Sequence, residues 1–340
     1  MFRAPIKEYL ANRYHQVQIM CWSLFLAGIA GYWLFQHDLI LASYADYGVN
    51  HLTILCLLLL VCLLSYSLSR KLHLNIDWYY LSFVPGILIL ALVANETISF
   101  TTIAITIITL AVWTFLILRQ PRLKINKISS NLYIFVLSAI IALSCSNTSE
   151  LTHNKYKIQH LLSVGNYEQA LQVGSNSTLT DSTLFNLRTK ALFMTNQLGS
   201  KLFAYPIPHG CCHISADIAS GDTEAKDIVL CNLLLQKNLS GFAQLLPRLY
   251  DIHSKQSSLP QHYKEALVLY MSRSTNPTID YSDTLIETNY ADFLAEKNKY
   301  DDNHVMGNSK CHQLYGTTYF WYYYFSDNTS DSTRRHTDGK

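Results

Sequence analysis

Residues 51–71 read HLTILCLLLLVCLLSYSLSRK, an apolar run that carries no ionised side chain before it ends in the adjacent cations Arg70 and Lys71. A helix needs about 20 such residues to cross the hydrocarbon core of a bilayer. Lysine and arginine collect on the cytoplasmic side of membrane helices. This stretch therefore predicts a transmembrane helix whose C-terminal end faces the cytoplasm.

Four more apolar runs accompany it, so that the set covers residues 17–35, 51–68, 78–94, 100–118 and 131–146. The interiors of these runs contain no Asp, Glu, Lys, Arg or His. Ionisable groups inside a membrane mark ion and proton pathways because burying them in lipid is costly. The pattern predicts a five-helix transmembrane bundle over residues 1–147 and argues against an ion-coupled transporter.

The positive charges of this half occupy alternate gaps between the runs. They are Arg3, Lys7, Arg13, Arg70, Lys71, Arg119, Arg122, Lys124 and Lys127. The positive-inside rule then places the N-terminus in the cytoplasm and everything after about residue 147 on the other side. We therefore predict a bacterial inner-membrane protein with a periplasmic domain, residues 148–325, and a disordered tail, residues 326–340.

The C-terminal half has an ordinary soluble composition, with 17 basic and 19 acidic residues. This near-neutral balance offers no basic face for nucleic acid, and we predict no nucleic-acid partner. The sequence contains no phosphate-binding Gly-rich loop with Lys, no Gly-x-Ser-x-Gly and no His-Glu-x-x-His. No residue is predicted to be catalytic, no cofactor is predicted, and whether the chain is an enzyme stays open.

A repeat signal begins after the last span. Gly165, Tyr167 and Ala170 form a Gly-x-Tyr-x-x-Ala pattern, and Gly199 and Ala204 follow Gly165 and Ala170 at a spacing of 34 residues. Thirty-four is the period of the tetratricopeptide repeat, in which glycine makes the turn between two helices and alanine lets them approach closely. The pattern predicts a degenerate tetratricopeptide-like α-solenoid, a fold that exposes a concave binding face.

Helical periodicity resumes after the prolines at 206 and 208, over residues 224–237, 241–252, 261–272 and 283–297. We predict an all-α domain of three helix pairs followed by capping helices. Seven consecutive aromatic residues then occupy positions 319–325. They fit a last helix packed on the solenoid, an interfacial belt or a partner surface, and we favour packing.

One cluster outside the membrane suggests chemistry. Thiolates and imidazoles together suit Zn(II) or Cu(I), and thiols in an oxidising compartment can pair. The simpler interpretation, a solvated loop with one disulfide bond, is favoured, and four outer cysteines allow three connectivities. The metal or disulfide candidates are His209, Cys211, Cys212, His213, Cys231 and Cys311.

Asp38 follows the first apolar run. An acidic residue at this place also occurs in polytopic glycosyltransferases that use lipid-linked sugars, where it serves a metal or acts as a base. The alternative is a solvated loop residue or the N-cap of the next turn, and this simpler interpretation is favoured.

Several stretches carry a family resemblance: residues 33–40 at the end of the first run, 197–206, 259–270 and 316–324. Together they resemble an uncharacterised, domain-of-unknown-function family of Bacteroidota integral membrane proteins with an N-terminal multi-span region and an extracytoplasmic tetratricopeptide-like helical tail. The resemblance implies no known activity, and no catalytic residue follows from it.

These patterns favour a membrane-anchored periplasmic scaffold that binds an envelope protein or peptide partner through its helical repeats, with the lipid bilayer as its other partner. A first alternative is a membrane-bound enzyme of envelope glycan or lipid chemistry that uses Asp38 or the 209–213 loop. A second alternative is a periplasmic metal or redox sensor built on Cys211 and Cys212.

Overall fold

The computed structural model describes residues 3–44, 50–95, 99–121, 126–211, 213–215, 225–252 and 259–326, with side chains from residue 14 onward except at positions 42 and 225. Within these ranges every regular element is helical and there is no strand, so the all-α prediction is confirmed. The chain forms two compact units, residues 1–160 and 161–340. The predicted tail beyond residue 326 lies outside the described residues.

The N-terminal unit contains six α-helices and one 3₁₀ helix in its described part. Their bounds are α1 Arg3–Ser43, α2 His51–Lys71, the 3₁₀ helix Ile76–Phe83, α3 Val84–Val93, α4 Phe100–Arg119, α5 Lys127–Cys145 and α6 Glu150–Ser163.

Five segments of the described part of the chain are long and apolar enough to cross a membrane, which indicates a membrane protein. They are Tyr14–Leu41, His51–Lys71, Ile76–Val93, Phe100–Arg119 and Lys127–Cys145. The first extends beyond its predicted end at residue 35 because no Gly or Pro interrupts residues 36–43 and because Leu39, Ile40 and Leu41 are buried.

The third span is the most enclosed of the five and combines the 3₁₀ helix with α3. The buried amide of Asn131 on α5 fixes it: its Oδ1 accepts the N–H of Tyr80 at 2.8 Å, and its Nδ2 donates to the Ile76 carbonyl at 2.8 Å. Gly86 lies so close to α2 that an added Cβ would be 2.9 Å from Val61 Cγ1 and Ser65 Oγ. The absence of a side chain at Gly86 therefore allows α3 to pack closely against α2.

The C-terminal unit contains nine further α-helices in its described part. They are α7 Tyr167–Gln172, α8 Ser182–Met194, α9 Leu198–Lys201, α10 Ala225–Leu235, α11 Leu239–Leu249, α12 Gln261–Arg273, α13 Thr284–Asn298, α14 His304–Tyr315 and α15 Tyr319–Phe325, with a 3₁₀ turn at Leu202–Ala204.

Three turns that end helices in this region share one geometry. Each places a residue with positive φ after the helix, namely Gly165, Asn196 and Lys237. In each, this residue donates its N–H to the carbonyl three positions back, and the next residue donates to the carbonyl five positions back. This is the Schellman arrangement, which pairs the last carbonyls of a helix.

The turns correct the predicted 34-residue register. The residue that corresponds to Gly165 is Asn196, 31 residues later, because asparagine tolerates the left-handed region. Gly199 instead lies inside α9, and Ala204 is exposed at the end of the 3₁₀ turn, whereas Ala170 is fully buried in α7. Tyr167, by contrast, begins α7 directly after the first turn.

The absence of a side chain at Gly199 allows a close contact with α12. A Cβ at this position would lie 2.7 Å from Tyr263 Cζ and 2.8 Å from Pro260 Cβ. The Tyr263 ring cannot move away easily, because it is buried and its hydroxyl donates to Asp227 Oδ1 at 2.8 Å.

Replacing Gly199 with alanine should therefore destabilise the C-terminal unit by about 1–3 kcal/mol through overpacking. The usual effect of Gly→Ala inside a helix has the opposite sign, a gain of about 0.5–1 kcal/mol. Hydrogen exchange of the full-length protein, followed on α9 and α12, measures the change. Ser200→Ala, one residue along the same helix, is the control, and equal stability of both variants would contradict the packing argument.

The predicted packing of the aromatic run is confirmed. Tyr319, Phe320 and Tyr322 of α15 are at most 3% exposed. The hydroxyls of Tyr319 and Tyr322 donate to the carbonyls of Leu234 and Leu235 at the end of α10. The aromatic helix thus adds side-chain hydrogen bonds to the carbonyl groups at the end of α10.

Candidate functional site

The C-terminal unit contains a cavity of about 720 Å³. Its walls come from the loop 175–180, the segment 203–211, and the facing sides of α14 and α15. Cavities that hold small ligands span about 300–1,000 Å³, so this one has the size of a binding site.

Local sequence explains why the two walls formed by residues 175–180 and 206–211 are not helical. The prolines at 206 and 208 lack N–H donors and keep their preceding residues extended. The loop 175–180 separates the end of α7 from Asp181, which caps α8 by accepting the N–H of Leu184 at 2.7 Å. Thr178 and Ile207 form no main-chain hydrogen bond to any described residue.

The helical wall presents an ordered tryptophan. Trp321 Nε1 donates to Asn308 Oδ1 at 3.0 Å, and the His312 ring packs edge-on against the indole with centroids 4.6 Å apart. Thr318 begins α15 by accepting the Trp321 N–H on its hydroxyl oxygen at 3.4 Å. The helix cap and these two side-chain contacts fix the orientation of the indole ring within the protein.

The lining carries no Asp, Glu, Lys or Arg among its described residues. Aromatic rings, hydroxyls and amides make up most of it. Two polar atoms of lining residues, Thr180 Oγ1 and Ser326 Oγ, are enclosed by protein and have no hydrogen-bond partner in the described chain. The groups that the described lining offers to a ligand are therefore its aromatic rings and its other hydroxyls and amides.

A buried arginine supports the 175–180 wall from behind. Arg188 is 2% exposed, its Nη2 donates to the Gly174 carbonyl at 2.8 Å, and its guanidinium lies 5.3 Å from the centre of the Tyr205 ring. Burial lowers the pKa of Arg188, and Tyr205 opposes that shift. The tyrosine hydroxyl in turn donates to the Leu171 carbonyl at 3.1 Å, so both walls are tied to the end of α7.

A buried carboxylate positions the helical wall. Glu265 Oε2 accepts the Tyr319 N–H at 2.7 Å and lies 3.0 Å from His262 Nδ1, while Gln261 donates to Oε1. His262 Nε2 accepts the Phe203 N–H at 3.4 Å, so Nδ1 carries the proton that Glu265 accepts. Glu265 thereby joins α12 to the start of α15 and, through His262, to the segment that begins at Phe203.

Some residues of the predicted metal or disulfide cluster line the cavity, and others do not. His209 and Cys211 line the cavity, and Cys211 Sγ donates to the His213 carbonyl at 3.6 Å. His213 is exposed. Cys212 lies outside the described residues, so its part in the predicted cluster is not described.

The other two outer cysteines are buried thiols without a disulfide bond. Burial raises the pKa of Cys231 to about 12 and raises the pKa of Cys311. Cys231 is also a hydrogen-bond partner of Tyr263, at 3.6 Å. Both thiols therefore stay protonated near neutral pH, where a metal ligand or a nucleophile would need to be a thiolate.

Asp38 lies inside α1, which corrects the prediction of a loop residue or a cap. Its carboxylate is 3.0 Å from His37 Nδ1 and 3.8 Å from Lys157 Nζ. The rings of His51 and His160 have centroids 5.8 and 6.2 Å from that of His37. Helices α1, α2 and α6 thus bring one acidic and four basic or imidazole groups together.

In the described part of the chain no three His, Cys, Asp or Glu residues are arranged to hold a metal ion.

Sequence analysis missed the residues that build the cavity: Arg188, Glu265, Asn308, His312 and Trp321. The sequence did draw attention to Trp321, because this residue belongs to the run of seven aromatic residues at 319–325. Glu265 lies in a predicted helical stretch, residues 261–272, and Arg188 lies in the predicted repeat region, but Asn308 and His312 lie in α14, for which no helix was predicted. A single sequence also does not show which polar residues of a helix are buried.

The fold and the cavity define an all-α membrane protein with a C-terminal helical unit that contains a ligand-sized site. Residues 219–326, which include α10 to α15, match the model of a family described as a family of unknown function (DUF6057). No curated protein and no solved structure matches the chain.

Proposed function

We propose that the protein is a bacterial inner-membrane scaffold whose C-terminal unit lies in the periplasm and binds an envelope protein or peptide partner. The observation that carries this proposal is the cavity with rigid aromatic groups and adaptable hydroxyl and amide groups. That combination is used by protein-binding surfaces, since aromatic rings give contact area at low entropic cost and small polar groups adapt their hydrogen bonds.

The repeated helix-ending turns add support. The turns at Gly165, Asn196 and Lys237 each end one helix shortly before the next one begins. Stacked helical hairpins of the tetratricopeptide-like kind commonly expose a concave face to partners. The proposal takes the C-terminal unit as a short, irregular member of this architecture whose repeat spacing varies.

The proposed topology rests on the charge pattern and predicts a reporter result. Alkaline phosphatase, which folds only outside the cytoplasm, should be active when fused after residue 326 and inactive when fused after Lys127, at the start of the fifth span. The reason is that this fusion keeps Arg119, Arg122, Lys124 and Lys127, which favour a cytoplasmic position for the gap between the fourth and fifth spans. Activity of the second fusion and not of the first would reverse the orientation.

The binding proposal is tested by site-specific photo-crosslinking in intact membranes. A photoreactive amino acid is placed, one site at a time, at exposed apolar positions of the C-terminal unit and, as a control, at Leu118 on α4, which is 79% exposed. We expect a discrete polypeptide adduct from at least one outer position and only lipid adducts from Leu118. The outer positions are Leu179, Leu285, Val305 and Leu314. Absence of a polypeptide adduct at all four would refute the proposal.

The cluster around Asp38 favours one second candidate, an enzyme of envelope glycan or lipid chemistry. A carboxylate beside imidazoles and a lysine can transfer protons. Asp38→Asn would then abolish turnover of a lipid-linked sugar by the purified protein, whereas the scaffold proposal predicts that the crosslink from the C-terminal unit is unchanged. Equal turnover by both forms would remove this candidate.

A further inference from the structure

We infer that a groove in the membrane-spanning part of the N-terminal unit binds one acyl chain of a phospholipid, whose phosphate group contacts the cluster around Asp38. The groove lies between α1, the third span and α5. The inference goes beyond the proposed function and does not rest on it, because it concerns other residues and another class of ligand.

The groove is a cavity of about 250 Å³ with mainly apolar walls. The rings of Tyr80 and Phe135 form part of the wall and pack edge-on, with centroids 5.5 Å apart. The hydroxyls of Ser138 and Tyr32 donate to the carbonyls of Phe135 and Leu90, and the Tyr80 hydroxyl is enclosed by protein. The groove therefore offers its occupant mainly apolar contacts.

The groove opens toward the bilayer. All of its lining residues belong to the first, third and fifth spans. Four of them are exposed, namely Gly28, Gly31, Phe35 and Leu143. Because the medium around these spans is hydrocarbon and supplies no water, an acyl chain is the occupant whose chemistry the lining matches.

Small residues leave the space for this chain. Gly28 and Gly31 on α1 line the groove together with Ala139 and Ala142 on α5. A Cβ added at Gly28 would reach only ordinary contact with Phe135 Cε2, at 3.7 Å, and one added at Gly31 would meet no atom within 4 Å. Close helix packing therefore does not require the two glycines, and their effect is an open groove.

The length of the groove fits one leaflet. Its lining on α1 extends from Phe25 to Phe35, which at the helical rise of about 1.5 Å per residue corresponds to about 15 Å. The hydrocarbon core of a bilayer is about 30 Å thick. The groove thus spans the depth that one acyl chain of one leaflet occupies.

The polar cluster begins one helical turn beyond the end of the groove. The Phe35 ring packs on the His153 ring with centroids 4.7 Å apart. Asp38 follows Phe35 by three positions and therefore neighbours it on the surface of α1. The Asp38 carboxylate lies 3.0 Å from His37 Nδ1 and 3.8 Å from Lys157 Nζ. A lipid whose chain fills the groove thus brings its headgroup to this cluster.

The cluster provides donors for a phosphate group. The rings of His51 and His160 lie 5.8 and 6.2 Å from that of His37. Imidazole N–H groups and the lysine ammonium donate hydrogen bonds that suit phosphate oxygens. The Lys157 side chain is 53% exposed, so a headgroup at the bilayer surface can reach it. The groove that ends beside the cluster favours a lipid phosphate over free phosphate.

The test labels the full-length protein in maltoside detergent with phosphatidylglycerol that carries a diazirine on its acyl chain. Gly31→Leu fills the groove, and labelling of α1 and α5, mapped by mass spectrometry, should fall about tenfold because the side chain takes the place of the acyl chain. Ala30→Leu, at an exposed position of α1 outside the lining, is the matched control and should label normally. Equal labelling of the two variants would overturn the inference.

A second comparison tests the headgroup. Diacylglycerol with the same photoreactive chain lacks the phosphate and should label the groove about fivefold less, a difference typical of exposed charge pairs. Lys157→Gln should lower labelling by phosphatidylglycerol and leave labelling by diacylglycerol unchanged. Lys71→Gln, at the opposite end of α2, is the control and should change neither. Equal labelling by both lipids would refute the phosphate contact.

This inference and the proposed function fail separately. The polypeptide adduct from the C-terminal unit should persist in Gly31→Leu, because the groove belongs to the N-terminal unit.

Discussion

Replacing Glu265 with alanine should lower the free energy of unfolding of the C-terminal unit by about 3–5 kcal/mol. The carboxylate is buried and accepts hydrogen bonds from three groups, the Tyr319 N–H, His262 Nδ1 and Gln261 Nε2. Alanine leaves the first two of these donors without a partner in a dry environment, which costs more than the loss of an average hydrogen bond.

Hydrogen exchange of the full-length protein measures this effect segment by segment. Protection should fall first in α12 and α15, which Glu265 joins, and the N-terminal unit should keep its protection. The matched control is Glu296→Ala, whose carboxylate pairs with the exposed Lys299, and a surface pair of this kind contributes little. Similar losses in both variants would show that Glu265 is not the buried link described above.

Replacing Arg188 with alanine should destabilise the C-terminal unit by about 3 kcal/mol. The variant removes the 2.8 Å hydrogen bond to the Gly174 carbonyl, which keeps the Ser177 N–H at 3.1 Å, and it removes the buried group that packs on the Tyr205 ring. The 175–180 wall should lose order with it, so partner binding at the cavity should fall together with stability.

Lys190→Ala is the control for Arg188→Ala because it removes a cation from an exposed position of the same helix. It should change the free energy of unfolding by no more than about 0.5 kcal/mol. Hydrogen exchange in residues 167–180 and photo-crosslinking from Leu179 measure the two effects. Arg188→Ala with native protection and a native yield of the polypeptide adduct would contradict the supporting role.

The membrane spans were predictable from sequence because lipid imposes one requirement on the whole segment. A run such as 51–68 must be apolar along its length, and hydropathy measures that property directly. The packing of the aromatic run was predictable for a related reason, since such rings gain most from burial.

The repeat register and the buried charges were not predictable in the same way. Glycine at 165 and 199 suggested two equivalent turns, yet asparagine at 196 can adopt the same positive φ, and Gly199 is required by contact with Tyr263. Arg188 and Glu265 resemble surface residues of amphipathic helices, and only the packing of distant segments shows that they are buried.

The candidate site was predicted only in part. His209 and Cys211 were selected for their chemistry and do lie at the cavity, but they contribute to a wall made of residues with no distinctive pattern. Thr178, Thr180 and Ile207 belong to segments that sequence identifies simply as non-helical. A cavity formed by loops and two distant helices depends on tertiary structure that no local pattern encodes.

The central claim is the proposal that the C-terminal unit binds an envelope protein or peptide partner at its cavity. Thr178 lines the cavity, whereas Thr183 is an exposed residue of α8 outside the lining. A pull-down from crosslinked membranes, with the tag on the N-terminus of the intact protein, tests the claim most directly when Thr178→Trp and Thr183→Trp are compared. We predict a stoichiometric polypeptide partner with the unaltered protein and with Thr183→Trp, and its loss with Thr178→Trp. Recovery of a lipid-linked sugar or a metal without any polypeptide would contradict the claim.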